Sequence, residues 1–236
     1  AWGFGAARGA LDPEAIRAAL GEVLPPAHAI VELDRTEGRA RRHARSALDL
    51  SAIAKGCAVD EMMRTVESFG IADALVGLDG ELKARGIKAD GTPWLVAVER
   101  PDYALRSAMG TVELRDAAVA TSGDYRHWID LNGRRLSHTM DRARGGPVDN
   151  GIASVSVVAD SCMDADAWAT ALMVLGPAQG EALAQRHGFD ALFIRRAGGM
   201  LTEIPVGPTF RSAPLLPARM AGPGDGAAAS GLELRQ

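Results

Sequence analysis

The sequence predicts an α+β fold in which mixed sheets pack against helices. Three observations predict it. Some segments repeat apolar residues at helical spacing, and others alternate them at strand spacing. Gly, Pro, Asn and Asp clusters separate these segments. The two kinds follow one another without strict βαβ alternation, which argues against a doubly wound sheet. The chain has 236 residues, 47% hydrophobic and 24% charged, an ordinary globular balance with enough length to bury a sizeable core. One domain is expected over residues 1–212, built as one body or as two intertwined lobes. Residues 213–236 are rich in Pro, Gly and Ala and are expected to form a disordered or loosely tethered tail.

The elements are read in chain order. Residues 12–24 form a first helix, with Asp12 as cap, Pro13 at the first helical position, and Ile16, Leu20 and Val23 on one face. Pro25-Pro26 stops it. Residues 29–33 read as a strand. Residues 49–56 form a tight segment leading into a helix over 57–69, ended by Gly70. Residues 74–78 and 81–85 are strands around the Asp79-Gly80 turn signal. Residues 94–99 and 112–120 follow as strands, the second ending in Ala120-Thr121-Ser122-Gly123. Residues 125–131 and 134–138 flank Asn132-Gly133, the strongest short hairpin signal in the chain. Residues 141–151 read as an irregular loop and 153–159 as an apolar strand. Helices are expected at 165–174, closed by Leu175-Gly176-Pro177, and at 178–187, capped by Gly188. Residues 191–195 and 201–204 are the last strands.

Composition narrows the function. The net charge is -4 and the pI about 5.8, without the basic face of a nucleic-acid binder. The one basic run, residues 35–45, also holds Glu37 and reads as a solvated hairpin or loop. Cys57 and Cys162 have no metal-ligand spacing, and two buried free thiols are expected rather than a disulfide. No stretch of 18 apolar residues exists, so no transmembrane helix is expected. No charged segment precedes an apolar one at the start, and Ala1-Trp2-Gly3-Phe4-Gly5 reads like the interior of a longer protein.

Four segments hold residue types suited to chemistry. In Asp49-Leu50-Ser51-Ala52-Ile53-Ala54-Lys55-Gly56, small residues surround a lysine at a helix start, where free amides and the positive dipole end suit a phosphate. The GxxxxGK[ST] spacing of a P-loop is absent, and an ordinary helix start with a surface lysine also fits. In Asp164-Ala165-Asp166-Ala167-Trp168-Ala169-Thr170, Asp166 and Thr170 stand at i and i+4 on one helix face. A carboxylate and a hydroxyl are hard oxygen ligands suited to Mg²⁺, although two are too few alone. An acid favouring the helix dipole beside a packing threonine is the alternative. In Ser137-His138-Thr139-Met140-Asp141, His138 sits where a strand runs into a Gly-rich loop, suited to accept a hydroxyl proton or simply structural. Thr121-Ser122-Gly123-Asp124-Tyr125 fits either a close ligand approach or a capped turn.

Together these segments resemble the ApbE family of FAD:protein FMN transferases. Residues 49–60 resemble its "DLGxIAKGYAxD", residues 120–125 its "STSGxY", and residues 137–147 its "SHxxDPxTGxP". Residues 165–176 resemble "ADAxATALxxLG", and Trp2-Gly3-Phe4-Gly5 matches "WGFG". Order and spacing agree over about residues 2–212. The resemblance implies a T-fold-like architecture, here lacking the family's N-terminal strand. It implies transfer of FMN from FAD to a threonine hydroxyl of an acceptor protein, with release of AMP. Carried over residue by residue, Asp49, Lys55, Met140 and Ser122 would contact FAD. The Ala52 carbonyl, Asp166 and Thr170 would hold Mg²⁺. His138 would be the base, with Asp141 a supporting carboxylate. A periplasmic or cell-envelope setting is also implied. Departures are Gly77-Leu78-Asp79-Gly80-Glu81 for "NxGGD", Arg142 for Pro, and Ser51 and Cys57 for Gly and Tyr. Two other readings use the same parts: an FAD-binding protein or FAD pyrophosphatase giving FMN and AMP, and a truncated non-catalytic binding relative.

Overall fold

A six-stranded, wholly antiparallel sheet forms the frame, and the computed structural model describes it within residue 2 and residues 11–20, 25–44, 48–131 and 133–212. Its strands are β3 (Ala74–Leu78), β4 (Glu81–Arg85), β7 (Ala118–Gly123), β12 (Ile152–Ala159), β13 (Asp190–Ala197) and β14 (Met200–Val206), ordered β14-β13-β12-β7-β4-β3. Helices α3 (Ala54–Ser68) and α4 (Cys162–His187) pack together on one face. A hairpin of β5 (Trp94–Glu99) and β6 (Ala108–Leu114) covers the other.

The strand pattern explains these layers. In β13, Ala191 and Phe193 join α4 residues Ala169, Leu172 and Met173 in one core. Leu192 and Ile194 join Val96, Val98, Val112 and Leu114 of the β5-β6 hairpin in the other. Successive side chains point to opposite faces, so a strand covered on both sides is buried at successive positions, and its polar residues need partners, as Ser156 finds in Thr121 at 2.7 Å. The first six residues of β12 are accordingly all buried.

The remaining elements are small. They are α1 (Pro13–Leu20), α2 (Ala27–Ile30), the pair β1 (Val31–Asp34) and β2 (Arg39–Arg42), the hairpin β8 (Trp128–Leu131) and β9 (Arg134–Ser137), the short pair β10 (Met140–Asp141) and β11 (Gly146–Pro147), and α5 (Pro208–Ser212). Asp12 caps α1 as expected, its Oδ1 accepting from the Glu14 and Ala15 amides at 3.1 and 3.0 Å. Within the basic run, Arg39, Arg41 and Arg42 lie on the exposed strand β2, and Arg45 lies outside the described residues. Trp2 of the "WGFG" segment donates from its ring nitrogen to the Gly145 carbonyl at 3.2 Å, so two separated motifs meet. Gly3, Phe4, Gly5, Val23, Asn132 and the tail expected over 213–236 lie outside the described residues.

Several expected boundaries move. The strand expected from residue 29 begins at Val31, because the Pro25-Pro26 step starts a helical turn in which Ala29 donates to the Pro26 carbonyl at 2.9 Å. Helix α3 starts at Ala54 rather than 57, since Ile53 and Ala54 already donate to the Leu50 carbonyl. The single strand expected over 112–120 is two strands. Asp116 turns the chain with φ 49°, so β6 pairs with β5 while β7 enters the main sheet. Aspartate tolerates that backbone, and alternation continuing through the turn hides the break. The loop over 141–151 contains the short β10-β11 pairing. Both cysteines are free as expected, but only Cys162 is fully buried.

The two helices expected at 165–174 and 178–187 form one element broken at Gly176, whose φ of 79° and ψ of -175° are not helical. Proline at 177 removes a helical donor, and the Asn150 side-chain amide takes up the freed carbonyls of Met173 and Val174 at 2.9 and 3.3 Å. The first half therefore ends with these carbonyls paired. Ser161 caps its start, accepting from the Asp164 amide at 3.0 Å.

The crossing of α3 on α4 fixes the site described below. A Cβ at Gly56 would lie 2.3 Å from the Cys162 carbonyl oxygen, so only glycine allows this approach. Four residues on, buried Asp60 accepts from the Cys162 and Met163 amides, both at 3.0 Å, and from Lys83 at 2.6 Å. It thereby holds the start of α4 from a neighbouring helix. Gly56→Ala is expected to cost about 1–3 kcal/mol in urea unfolding, as overpacking does; an unchanged midpoint would contradict this crossing.

Burial alone would raise the pKa of Asp60, but Lys83 and the two amides outweigh it and hold the carboxyl below its ordinary value. The folded value lies below the unfolded one, so the stabilisation is complete above the unfolded pKa. It is lost as pH falls through the folded pKa. Asp60→Asn is expected to be less stable than the parent at pH 7, with the gap narrowing below about pH 4. Unfolding midpoints across that range check it; a gap constant with pH would contradict it.

Candidate functional site

One cleft of about 870 Å³ gathers residues from every motif with candidate chemistry. Its wall is built from the turn entering α3, the β3-β4 turn, the ends of β5 and β7, the segment after β9, and the first turns of α4. Eight of the nine expected site residues line it: Asp49, Ala52, Lys55, Ser122, His138, Met140, Asp166 and Thr170. Asp141 does not. Its Oδ1 accepts from the Ala143 amide at 2.9 Å and the Arg144 amide at 3.4 Å, so its carboxylate holds the following turn.

The oxygen-rich part of the cleft follows from the helix crossing. Asp166 is buried in the first turns of α4, and its Oδ2 accepts from the Gly56 amide at 3.0 Å. In a regular helix start that amide would be available to the carbonyl of residue 52. Among the described residues nothing donates to the Ala52 carbonyl, which is left to the cleft. Thr170, one turn beyond Asp166, shares a 2.8 Å hydrogen bond with Ser122 at the end of β7. A carbonyl, a carboxylate and a hydroxyl thus line one cavity, the hard donor set that suits Mg²⁺ when a ligand's phosphate oxygens and water complete the shell. Among the described residues no three His, Cys, Asp or Glu side chains converge on a point. Oxygen donors of this kind suit a hard cation better than a soft one.

Burial pushes the Asp166 pKa up, opposed by the Gly56 amide and by Lys55. A carboxylate whose folded pKa is raised costs the folded state stability wherever it is ionised. Asp166→Asn keeps an acceptor for the Gly56 amide and removes the charge. It is expected to melt higher than the parent at pH 7 in EDTA, with the difference closing as pH falls; a lower melting temperature would show that the charge stabilises the metal-free fold.

Lys55, on the first turn of α3, donates to Glu81 Oε1 at 2.8 Å. Asp49, before that turn, accepts from the Ser51 amide at 2.8 Å. Bonds from the Ser51 side chain and amide hold its pKa below the usual carboxylate range. Met140 is exposed at the cleft edge.

His138 follows β9. Its Nδ1 lies 3.1 Å from the His127 carbonyl, which only accepts, so Nδ1 carries the proton of the neutral ring and Nε2 the lone pair. The two imidazoles meet edge to face at 5.3 Å. The ring has surface open to solvent, yet crowding by the cleft wall lowers its pKa, against the smaller opposing effect of the His127 carbonyl.

A second group lines the cleft, of which the sequence marks Thr121 and Tyr125 through their segment but not Glu99, Arg106, Arg126 or His127. Glu99, at the end of β5, accepts from Arg126 Nε at 3.1 Å and from the Tyr125 hydroxyl at 3.3 Å, with a further Arg126 contact to Oε1. Burial, then the Glu99 charge, raises the Tyr125 pKa to about 12, so this phenol stays protonated. Arg106, His127, Thr121 and the buried Glu81 also line the cavity. Glu81 has two signals in the sequence, an acid placed directly after the Asp79-Gly80 turn and its place in the segment set against "NxGGD". Nothing local marks Glu99 or Arg106, because the fold, not spacing, brings them here.

The sequence model of the ApbE family matches residues 1–193. The chain is 37% identical over 151 residues to the FAD:protein FMN transferase of Escherichia coli K12, an alignment spanning 64% of this chain and 43% of that protein. It is 42% identical over 147 residues to the corresponding transferase of Vibrio cholerae serotype O1, spanning 62% and 44%. Among solved structures, the apo flavinyl transferase ApbE of Pseudomonas stutzeri superposes with a TM-score of 0.70 at 37% identity, over 87% of this chain and 63% of that one. The flavin transferase ApbE of Vibrio cholerae superposes with a TM-score of 0.71 at 31% identity, over 86% and 63%. The chain thus spans less than half the length of the curated relatives it matches.

Proposed function

Because this chain belongs to the ApbE family, we propose that it transfers FMN from FAD to a threonine hydroxyl of an acceptor protein and releases AMP, with Mg²⁺ as cofactor. One observation carries the reading. The unengaged Ala52 carbonyl, Asp166, Thr170 and the ammonium of Lys55 share one cleft with His138. Phosphoryl transfer needs charge neutralised on phosphate oxygens, a positioned hydroxyl and a proton acceptor, and little else. The relatives' name, FAD:protein FMN transferase, supports the same chemistry.

Each residue has a part in this reading. The Ala52 carbonyl, Asp166 and Thr170 would hold Mg²⁺, which supplies charge neutralisation on the pyrophosphate. Lys55 adds a second positive charge against phosphate oxygens. Asp49, Met140 and Ser122 border the bound nucleotide. His138 Nε2 takes the proton of the acceptor threonine as its oxygen bonds to the FMN phosphorus. The bond from that phosphorus to the bridging oxygen breaks, and AMP leaves with the electron pair. The Asp141 carboxylate supports the turn that directly follows Met140 and Asp141. A cleft open at His138 also admits water as nucleophile, which would give free FMN and AMP; the product separates the two outcomes.

Incubation with FAD, Mg²⁺ and an acceptor carrying a threonine site tests this. Intact mass is expected to show the acceptor gaining one FMN with loss of water. Free FMN with an unmodified acceptor would contradict transfer. Asp166→Ala is expected to abolish transfer, and unchanged transfer would sink the metal assignment. His138→Ala is expected to lower turnover by about 10²–10⁴-fold, the usual contribution of a general base. Since the His138 pKa lies below the ordinary 6.5, the neutral base is already present at pH 7. The rate should therefore fall only on acidification through that lowered value. An acid limb centred above 6.5 would contradict the assignment.

A further inference from the structure

Of the cleft carboxylates that the proposed chemistry leaves unused, Glu81 is the fully buried one, and its environment is unusual. It opens β4, directly after the β3-β4 turn, and is 1% exposed. Its Oε1 accepts from Lys55 at 2.8 Å. Its Oε2 is buried and has no hydrogen-bond partner among the described residues. A buried carboxylate oxygen left unpaired is costly, and proteins retain such an atom mainly where something else completes it. Burial raises the pKa of this group, opposed by Lys55, and the neighbouring Asp166 charge raises it further. Glu81 lines the same cleft as Asp166, and the two carboxylates are bonded by the adjacent residues Lys55 and Gly56, with the Lys55 ammonium already satisfying Oε1.

We propose that Glu81 is a positioning residue for the divalent cation: its Oε2 accepts a hydrogen bond from a water of that cation's shell, while Oε1 holds Lys55 against the phosphates. This rests on the cation reading of Ala52, Asp166 and Thr170. Three protein oxygens leave a hexacoordinate ion with positions for ligand phosphate and water. Outer partners of this kind orient the inner ones. The shared chemistry is an O–H donor, which a nucleotide hydroxyl would also supply. Anchoring of Glu81 and Asp166 by the adjacent residues Lys55 and Gly56 favours the cation-held water.

Glu81→Gln tests it. Lys55 only donates, so it selects the glutamine carbonyl and places the NH₂ where Oε2 stood, turning an acceptor into a donor. Glu81→Asp keeps the charge and withdraws both oxygens by one methylene, which separates position from charge. Mn²⁺ binding, followed by the EPR signal of the free ion, is read for the parent and both variants, with thermal melts confirming the fold. FAD binding is read separately in EDTA by flavin fluorescence. Both folded variants are expected to bind Mn²⁺ about tenfold or more weakly, and Glu81→Gln to retain FAD affinity in EDTA. Parent-like Mn²⁺ affinity in either folded variant would overturn the proposal. So would lost FAD affinity in EDTA with Mn²⁺ binding intact, which assigns the oxygen to a nucleotide hydroxyl. A parent protein that binds no Mn²⁺ would overturn the cation reading itself.

Discussion

The site depends on how closely the start of α3 approaches the start of α4. Two contacts set that approach. The Gly56 amide donates to Asp166, and Asp60 accepts from the amides of Cys162 and Met163. Glycine at 56 is what allows both, since any side chain would meet the Cys162 carbonyl. The first contact diverts an amide from its own helix and leaves the Ala52 carbonyl to the cleft. A structural junction and a candidate cation site are therefore the same set of atoms.

The rest of the fold supports this junction. The six-stranded sheet places the end of β7 beside α4, so that Ser122 reaches Thr170. The β5-β6 hairpin on the other face brings Glu99 to the cleft, where it holds Tyr125 and Arg126. The break at Gly176 lets α4 end its first half against Asn150 without leaving carbonyls unpaired. Burial then acts on the charges so gathered. It raises the pKa of Asp166 and Glu81 and lowers that of His138. Carboxylates pressed toward neutrality favour arrival of a cation, and an imidazole pressed toward neutrality is ready to take a proton.

Much of this was legible in the sequence because the motifs carry local signals. Asp166 and Thr170 share a helix face by spacing alone, and Lys55 stands at a helix start whose small residues mark it. The α+β class followed from periodicity, and most strands fall where alternation put them. What escaped has physical reasons. Asp116 adopts a left-handed turn inside an alternating run, so two strands read as one. Asp141 sits in a motif yet spends its carboxylate on neighbouring amides, which spacing does not reveal. Glu81 and Glu99 reach the cleft only through sheet and hairpin packing, a tertiary effect with no sequence period.

A crystal structure of the chain with Mn²⁺ and FAD, read for anomalous scattering, tests most directly whether the α3-α4 junction is the cation end of the cleft. One strong peak is expected, bonded to the Ala52 carbonyl, Asp166 and the Thr170 hydroxyl, with FAD phosphate oxygens completing the shell. A peak elsewhere in the cleft, or bound FAD with those three oxygens unengaged, would contradict it.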